Sequence, residues 1–105
     1  MVQYIVKRNG EKVSFDAKKI RNAIFKANIR IAAERMSDAD LDSLTAQVIA
    51  EFDGGRGVPT VEQIQDVVEE KLIAADYAKT AKAYILYRAE HQRLREMDDE
   101  LVKIY

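Results

Sequence analysis

The dipeptide Asn9-Gly10 is the sharpest structural constraint in the sequence. Both residues tolerate the positive φ of a type I′ turn, and strand-forming residues flank them. The spacing predicts a β-hairpin closed by a two-residue loop. In that register Arg8 faces Glu11, Val6 faces Val13 and Tyr4 faces Phe15. This mostly apolar face is expected on the core, with Ile5, Lys7, Lys12 and Ser14 on the other. Asp16 then suits the cap of a helix that begins at Ala17. Lys7 and Arg8 beside the turn, with Lys18 and Lys19 at the helix start, make a candidate phosphate site.

Helical periodicity follows. Ile20, Ala23, Ile24, Ala27 and Ile31 share one stripe of a first helix, from Ala17 to about Ile31. A turn is expected within residues 32–37. Ser37 and Asp40 then form a capping box for a second helix, which runs to about Phe52 and buries Leu41, Leu44, Val48 and Phe52. The run Asp53-Gly-Gly-Arg-Gly-Val-Pro-Thr60 holds three of the four glycines and the only proline, and reads as a loop. It lacks the Gly-Lys-Ser/Thr ending and the preceding strand of a phosphate-binding P-loop. A short strand around Arg56–Val58 would extend the hairpin to three strands. Thr60 and Gln63 make a second capping box, and Ile64, Val67, Val68 and Leu72 line the buried face of a third helix. After a turn at residues 74–76, a fourth helix runs from Tyr77 to Leu94 or beyond. It is apolar nearly all round, so it is expected to be central. The fold class is α+β: four helices capped by a small hairpin or three-stranded sheet. Residues 1–95 form the domain, and 96–105 a charged tail or the start of a linker.

At 105 residues the chain is one domain at most. It has no cysteine, which excludes disulfides, thiolate metal sites and cysteine nucleophiles. A net charge of −1 gives no general attraction to nucleic acid or anionic membranes. No apolar run approaches the roughly 20 residues of a membrane span, and the N-terminus lacks signal-peptide character, so a cytoplasmic protein is expected. The only histidine, His91, lies on a charged helix end and reads as solvated. Asp98, Asp99 and Glu100 read as a solvated acidic run rather than a metal site. No catalytic constellation stands out. Binding fares better, with one difficulty: strand alternation sends Lys7 and Arg8 to opposite faces. Arg88, on an apolar stripe, needs a partner, either an internal carboxylate or a ligand phosphate. Lys79 and Lys82 flank it.

Four segments in this order resemble the ATP-cone family. They are Val6-Lys-Arg-Asn-Gly10; Val13-Ser-Phe-Asp16 with Lys19-Ile20; Val58-Pro-Thr-Val-Glu-Gln-Ile-Gln-Asp66 with Val68-Glu-Glu-Lys-Leu72; and Ala81-Lys-Ala-Tyr-Ile-Leu-Tyr-Arg88. Such cones are regulatory domains at the N-terminus of ribonucleotide reductases and in a bacterial repressor of reductase genes. The last segment is most similar to cones of anaerobic, class III reductases. The resemblance implies a four-helix domain under a β-cap that binds ATP or dATP between the two, with Mg2+. ATP would favour an active enzyme and dATP an inhibited assembly, with no catalysis by the domain itself. The implied partners are the nucleotide, the catalytic domain of a reductase or other subunits, and further copies of the chain in a nucleotide-dependent way. By position, Lys7, Arg8 and Lys19 would hold phosphates, and Ile5, Ile20 and Ile64 would wall the adenine. Asp16 and Thr60 would contact base or sugar, and Gln65 would add a polar contact. A lysine of some relatives corresponds to Ala89 here, so Arg88 or Lys82 would make the last phosphate contact. No catalytic cysteine, large barrel or zinc ribbon accompanies these segments, so an excised domain or a stand-alone cone is expected. The alternatives are a ligand-free helical interaction module and the cone of a nucleotide-sensing repressor. Nucleic-acid binding is disfavoured by the charge.

Overall fold

A computed structural model describes residues 3–54 and 57–104, with side chains described as far as residue 94. Two short strands open the chain, β1 (Tyr4–Val6) and β2 (Lys12–Ser14). They pair antiparallel, Tyr4 with Ser14, Ile5 with Val13 and Val6 with Lys12. This register differs by one residue from the one the Asn9-Gly10 signal predicts. The loop has three residues, Arg8-Asn9-Gly10. The Lys7 N–H donates to the Glu11 carbonyl at 2.8 Å, and the Gly10 N–H donates to the Lys7 carbonyl at 2.9 Å. Gly10 alone takes a positive φ, +85°. Asn9 instead uses its side chain, whose Oδ1 accepts from the Glu11 N–H at 2.9 Å. A turn closed by a left-handed glycine is the usual three-residue solution. The shift reverses the predicted faces of β1, because strand side chains alternate with period two. Ile5 and Lys7 now lie on the Val13 and Phe15 side, and Tyr4 joins Lys12, whose ammonium sits 4.6 Å from the Tyr4 ring centre.

No third strand forms among the described residues; the sheet has two. The chain does return to the hairpin edge, but later than expected. Val6 and Thr60 form an isolated parallel bridge, and the Val6 N–H donates to the Pro59 carbonyl at 3.0 Å. Proline has no N–H to continue a ladder there. Arg56, part of the predicted strand, lies outside the described residues.

Four helices carry the fold: α1 (Ala17–Asn28), α2 (Asp38–Ala50), α3 (Val61–Ala74) and α4 (Ala78–Ile104). The predicted caps hold. Asp16 Oδ1 accepts from the Lys18 N–H at 3.0 Å. The Ser37–Asp40 and Thr60–Gln63 boxes each make both of their reciprocal bonds. Helix α3 ends where Asp76 takes φ +67°, with the Tyr77 N–H donating to the Leu72 carbonyl at 2.8 Å. Helix α1 packs on α2 and α4, and α3 packs on the same two. Ile24, Leu41, Val48, Val68 and Leu72 fill the space between them. As far as residue 94, helix α4 buries one face only. Ala81 and Tyr84 are buried, whereas Ile85 and Leu86 are 43% and 61% exposed, so its all-round apolar sequence does not make it central.

Helix α1 stops at Asn28, short of the predicted Ile31, because Asn28 is committed elsewhere. Its buried amide donates to the Glu34 carbonyl at 2.9 Å and to Thr80 Oγ1 at 3.1 Å, and accepts from the Met36 N–H at 2.8 Å. Glu34 ends a single 3-10 turn (Ala32–Glu34). Its carboxylate accepts from the N–H groups of Lys79 and Thr80, at 3.2 and 2.7 Å, and from the Thr80 hydroxyl at 2.8 Å. A side chain distant in sequence thus caps α4. Desolvation would raise the Glu34 pKa. The bonds from Thr80 and Lys79 outweigh it and hold the pKa below the ordinary 4.5.

Two predictions follow from this junction. Asn28→Ala leaves buried partners unpaired, each worth roughly 1–3 kcal/mol, so urea denaturation is expected to show a loss of about 2–4 kcal/mol. The depressed Glu34 pKa stabilises the fold above the unfolded carboxyl's pKa, and that stability is lost as pH falls through the lower folded value. Glu34→Gln is expected to flatten the acid limb of a plot of urea midpoint against pH. An unchanged limb would show that Glu34 carries no such linkage.

Candidate functional site

The hairpin bridges a gap between α1, α3 and α4, and a cavity of about 710 Å³ lies beneath it. Small-molecule sites span about 300–1,000 Å³. The inward strand face contributes Ile5, Val13 and Phe15, and the helices contribute Ile20, Ile64 and Val68. Around this apolar lining stand the cations Lys7, Arg8, Lys19, Lys26 and Arg88, and Asp16 is the only carboxylate among the lining residues. In a chain of net charge −1, this is a strong local excess of positive charge. The observed register also removes the strand-alternation difficulty. Lys7 follows Ile5 on the inward face, and Arg8 belongs to the loop, so both reach the cavity.

The cations are unequally committed. Lys7 is 4.0 Å from Glu11. Arg8 Nε lies 2.9 Å from Glu62. Arg88 donates from one nitrogen to Asp66 at 2.8 Å and to Glu69 at 2.9 Å. Its partner is therefore an internal carboxylate pair, although it still lines the cavity. Desolvation would lower the Arg88 pKa, but the bonds to Asp66 and Glu69 prevail and raise it, so the charge is secure. Among the described residues no ion pair involves Lys19 or Lys26. Tyr84 adds a neutral hydroxyl, because burial raises its pKa against the pull of Arg88. Gln65 supplies a different signal. Its Oε1 is buried and has no hydrogen-bond partner. An unpaired buried polar atom is costly, and here it lies in the wall of a cavity.

Nine of the residues singled out from the sequence meet at this cavity. Ile5, Lys7 and Arg8 come from the hairpin, Asp16, Lys19 and Ile20 from the start of α1, Ile64 and Gln65 from α3, and Arg88 from α4. Thr60 and Lys82 are not among the lining residues. The Thr60 hydroxyl accepts from the Gln63 N–H at 3.1 Å, and Lys82 is exposed on α4. Sequence reasoning missed Lys26, two helical turns beyond Lys19. It also took His91 for a solvated residue. His91 is exposed, but it lines the cavity, its ring 4.3 Å from that of Tyr87. Its place one turn after Arg88 was the available signal. No cluster of three metal-binding side chains occurs among the described residues, and the side chains of Asp98, Asp99 and Glu100 lie outside them.

An apolar slot ringed by cations, one wall carrying an amide oxygen with no partner among the described residues, has the chemistry to accept an organic polyanion. Comparison with known families gives that class its particular form: residues 3–93 match the model of the ATP cone domain, and the chain belongs to that family of nucleotide-binding regulatory domains. It is 38% identical, over 91% of its length, to the vitamin B12-dependent ribonucleoside-diphosphate reductase of Thermoplasma acidophilum. It is 35% identical, again over 91% of its length, to the anaerobic ribonucleoside-triphosphate reductase of Escherichia coli. The chain spans only 13% of each of these relatives. The catalytic regions of those enzymes lie outside the aligned segment. No helix among the described residues is long and apolar enough to cross a membrane.

The orphaned oxygen gives a direct test. Gln65→Met removes a buried acceptor and keeps the volume. It is expected to stabilise the free protein by about 1 kcal/mol in urea denaturation while weakening ATP binding in calorimetry. A variant that loses stability and binds ATP undiminished would show that Gln65 is structural.

Proposed function

We propose that this domain binds ATP and dATP in the cavity under the hairpin and transmits the occupancy of that site to a ribonucleotide reductase. The observation that carries the reading is the concentration of five cations and one carboxylate around an apolar slot in a chain of near-neutral net charge. An apolar slot takes a purine, and the cations around it take a triphosphate. Ile5, Ile20 and Ile64 sandwich the base, and Asp16 and Gln65 offer polar contacts to base or sugar. Lys7, Arg8, Lys19 and Arg88 neutralise the phosphates, accompanied by Mg2+. Thr60 acts on the ligand only indirectly, by fixing the start of α3, and Lys82 reaches a phosphate only if α4 shifts.

The domain performs no chemistry itself. ATP favours an active assembly of the regulated reductase and dATP an inhibited one, through contacts with its catalytic domain, its other subunits or further copies of this chain. Its setting is cytoplasmic, where the nucleotides are. Residues 1–95 are the regulatory unit, and 96–105 are a charged tail or the start of a linker.

Thermal-shift measurements with ATP, dATP, GTP and CTP test the reading. Ligand at about 100 times its dissociation constant stabilises a domain by about 2.7 kcal/mol, and the shift is expected for the adenine nucleotides. Each charged hydrogen bond lost is worth about 1.5–3 kcal/mol, so Lys7→Ala and Arg8→Ala are each expected to weaken ATP roughly ten- to hundred-fold in calorimetry. Full-strength ATP binding by the double variant would defeat the phosphate assignment.

A further inference from the structure

We infer that His91 belongs to the same site and contacts the polyanion, taking up a proton when the nucleotide enters. The inference rests on the nucleotide reading above and adds to it a residue to which sequence reasoning gave no function. Three observations carry it. His91 lines the cavity although its position on α4 looks peripheral. Its ring stands 4.3 Å from that of Tyr87, tilted by 45°, and Tyr87 lines the same cavity. It also lies one helical turn beyond Arg88, so the two side chains project to the same side of α4.

The charges around this wall decide what the imidazole does. From α1 come Lys19 and Lys26, and Asp16 precedes the helix. From the hairpin come Lys7 and Arg8. Helix α4 itself adds Arg88, with neutral Tyr87 and Gln92 alongside. Helix α3 adds no carboxylate to the cavity lining; its Asp66 and Glu69 are bonded to Arg88 outside it. No ion pair joins His91 to Asp16. A bound triphosphate brings several negative charges to this wall, and these favour the imidazolium over the neutral ring. Proton uptake and nucleotide binding are therefore linked, each strengthening the other.

The chain has one histidine, so its imidazole resonances need no assignment by mutation. The pH titration of those resonances is followed in the intact protein with and without saturating ATP, and ATP occupancy is verified independently by thermal shift. The midpoint is expected to rise by about one pH unit with ATP, equivalent to about a tenfold gain in affinity on the acid side. Calorimetry of His91→Gln against the parent chain controls for the ligand's own phosphate ionisation. The two proteins are expected to bind ATP alike near pH 8, and the variant about tenfold more weakly near pH 5.5. If ATP binds and the imidazole titration does not move, His91 is outside the site and the inference falls while the nucleotide reading stands. If ATP produces neither a thermal shift nor a calorimetric signal, the nucleotide reading falls, and this inference with it.

Discussion

The site depends on where the hairpin turns. Gly10 closes a three-residue loop in the left-handed conformation, which makes Lys7 the partner of Glu11 and places Ile5 and Lys7 over the helices. A slip of one residue would turn Tyr4 and Val6 inward and send Lys7 to solvent. Strands of three residues cannot hold a register by their own ladder. The register is held from outside. The Asn9 side chain bonds the Glu11 N–H, and the outer edge of β1 is tied to the Pro59 carbonyl ahead of α3. Packing of Ile5 and Phe15 against the core completes the restraint. Because the tie to Pro59 leads directly into the Thr60 capping box, the hairpin and α3 are positioned as one piece.

Gathering cations around an apolar slot raises the free energy of the empty domain, and the structure shows how the cost is contained. Glu62, Asp66 and Glu69 lie on successive turns of one side of α3. They accept from Arg8 and Arg88 outside the cavity lining. Each guanidinium offers five N–H donors in a planar fork, and each uses only one nitrogen in these pairs. Among the described residues no further carboxylate takes up the remaining donors, so these pairs orient the arginines without exhausting them. Among the described residues, Lys19 and Lys26 have no such counterions. The cations of this cavity therefore differ: Arg8 and Arg88 are held by short carboxylate bonds, Lys7 stands at the longer 4.0 Å from Glu11, and Lys19 and Lys26 are the least engaged.

Local chemistry was legible in the sequence, and tertiary commitments were not. Asp16, Ser37 and Thr60 could be read as caps because a cap is decided within four residues. The α3 stripe was readable because Ile64, Val68 and Leu72 recur at helical spacing. The hairpin was readable in place but not in register, because Asn-Gly fits both a two-residue turn and a longer loop in which only the glycine is left-handed. The choice falls to contacts made by Val6 and Ile5 far along the chain. The end of α1 was misplaced for the same reason: Asn28 looks like any polar helical residue until Glu34, Met36 and Thr80 surround it. The family pattern reached most of the cavity lining, but it also named Thr60 and Lys82, which do not line it. Lys26 and His91 fall outside that pattern and enter only through the geometry of α1 and α4.

The Asn28 junction also explains why the cavity opens where it does. Asn28 is the last residue of α1, and Thr80 lies in the first turn of α4. Their bond, with Glu34 capping α4 beside it, fastens the two helices at the end remote from the hairpin. Lys19 lies more than two turns from Asn28 along α1, and Arg88 just over two turns from Thr80 along α4. At that distance no hydrogen bond between the two helices closes the gap among the described residues. Two helices joined by this polar network at one end, and roofed by a short hairpin at the other, leave a slot whose closed end is set by the network. A buried polar network suits the closed end, because it is costly to break and specifies one arrangement. The open end is built from apolar contacts and long cationic side chains, whose arrangement rests on packing and ion pairs rather than on a buried polar network.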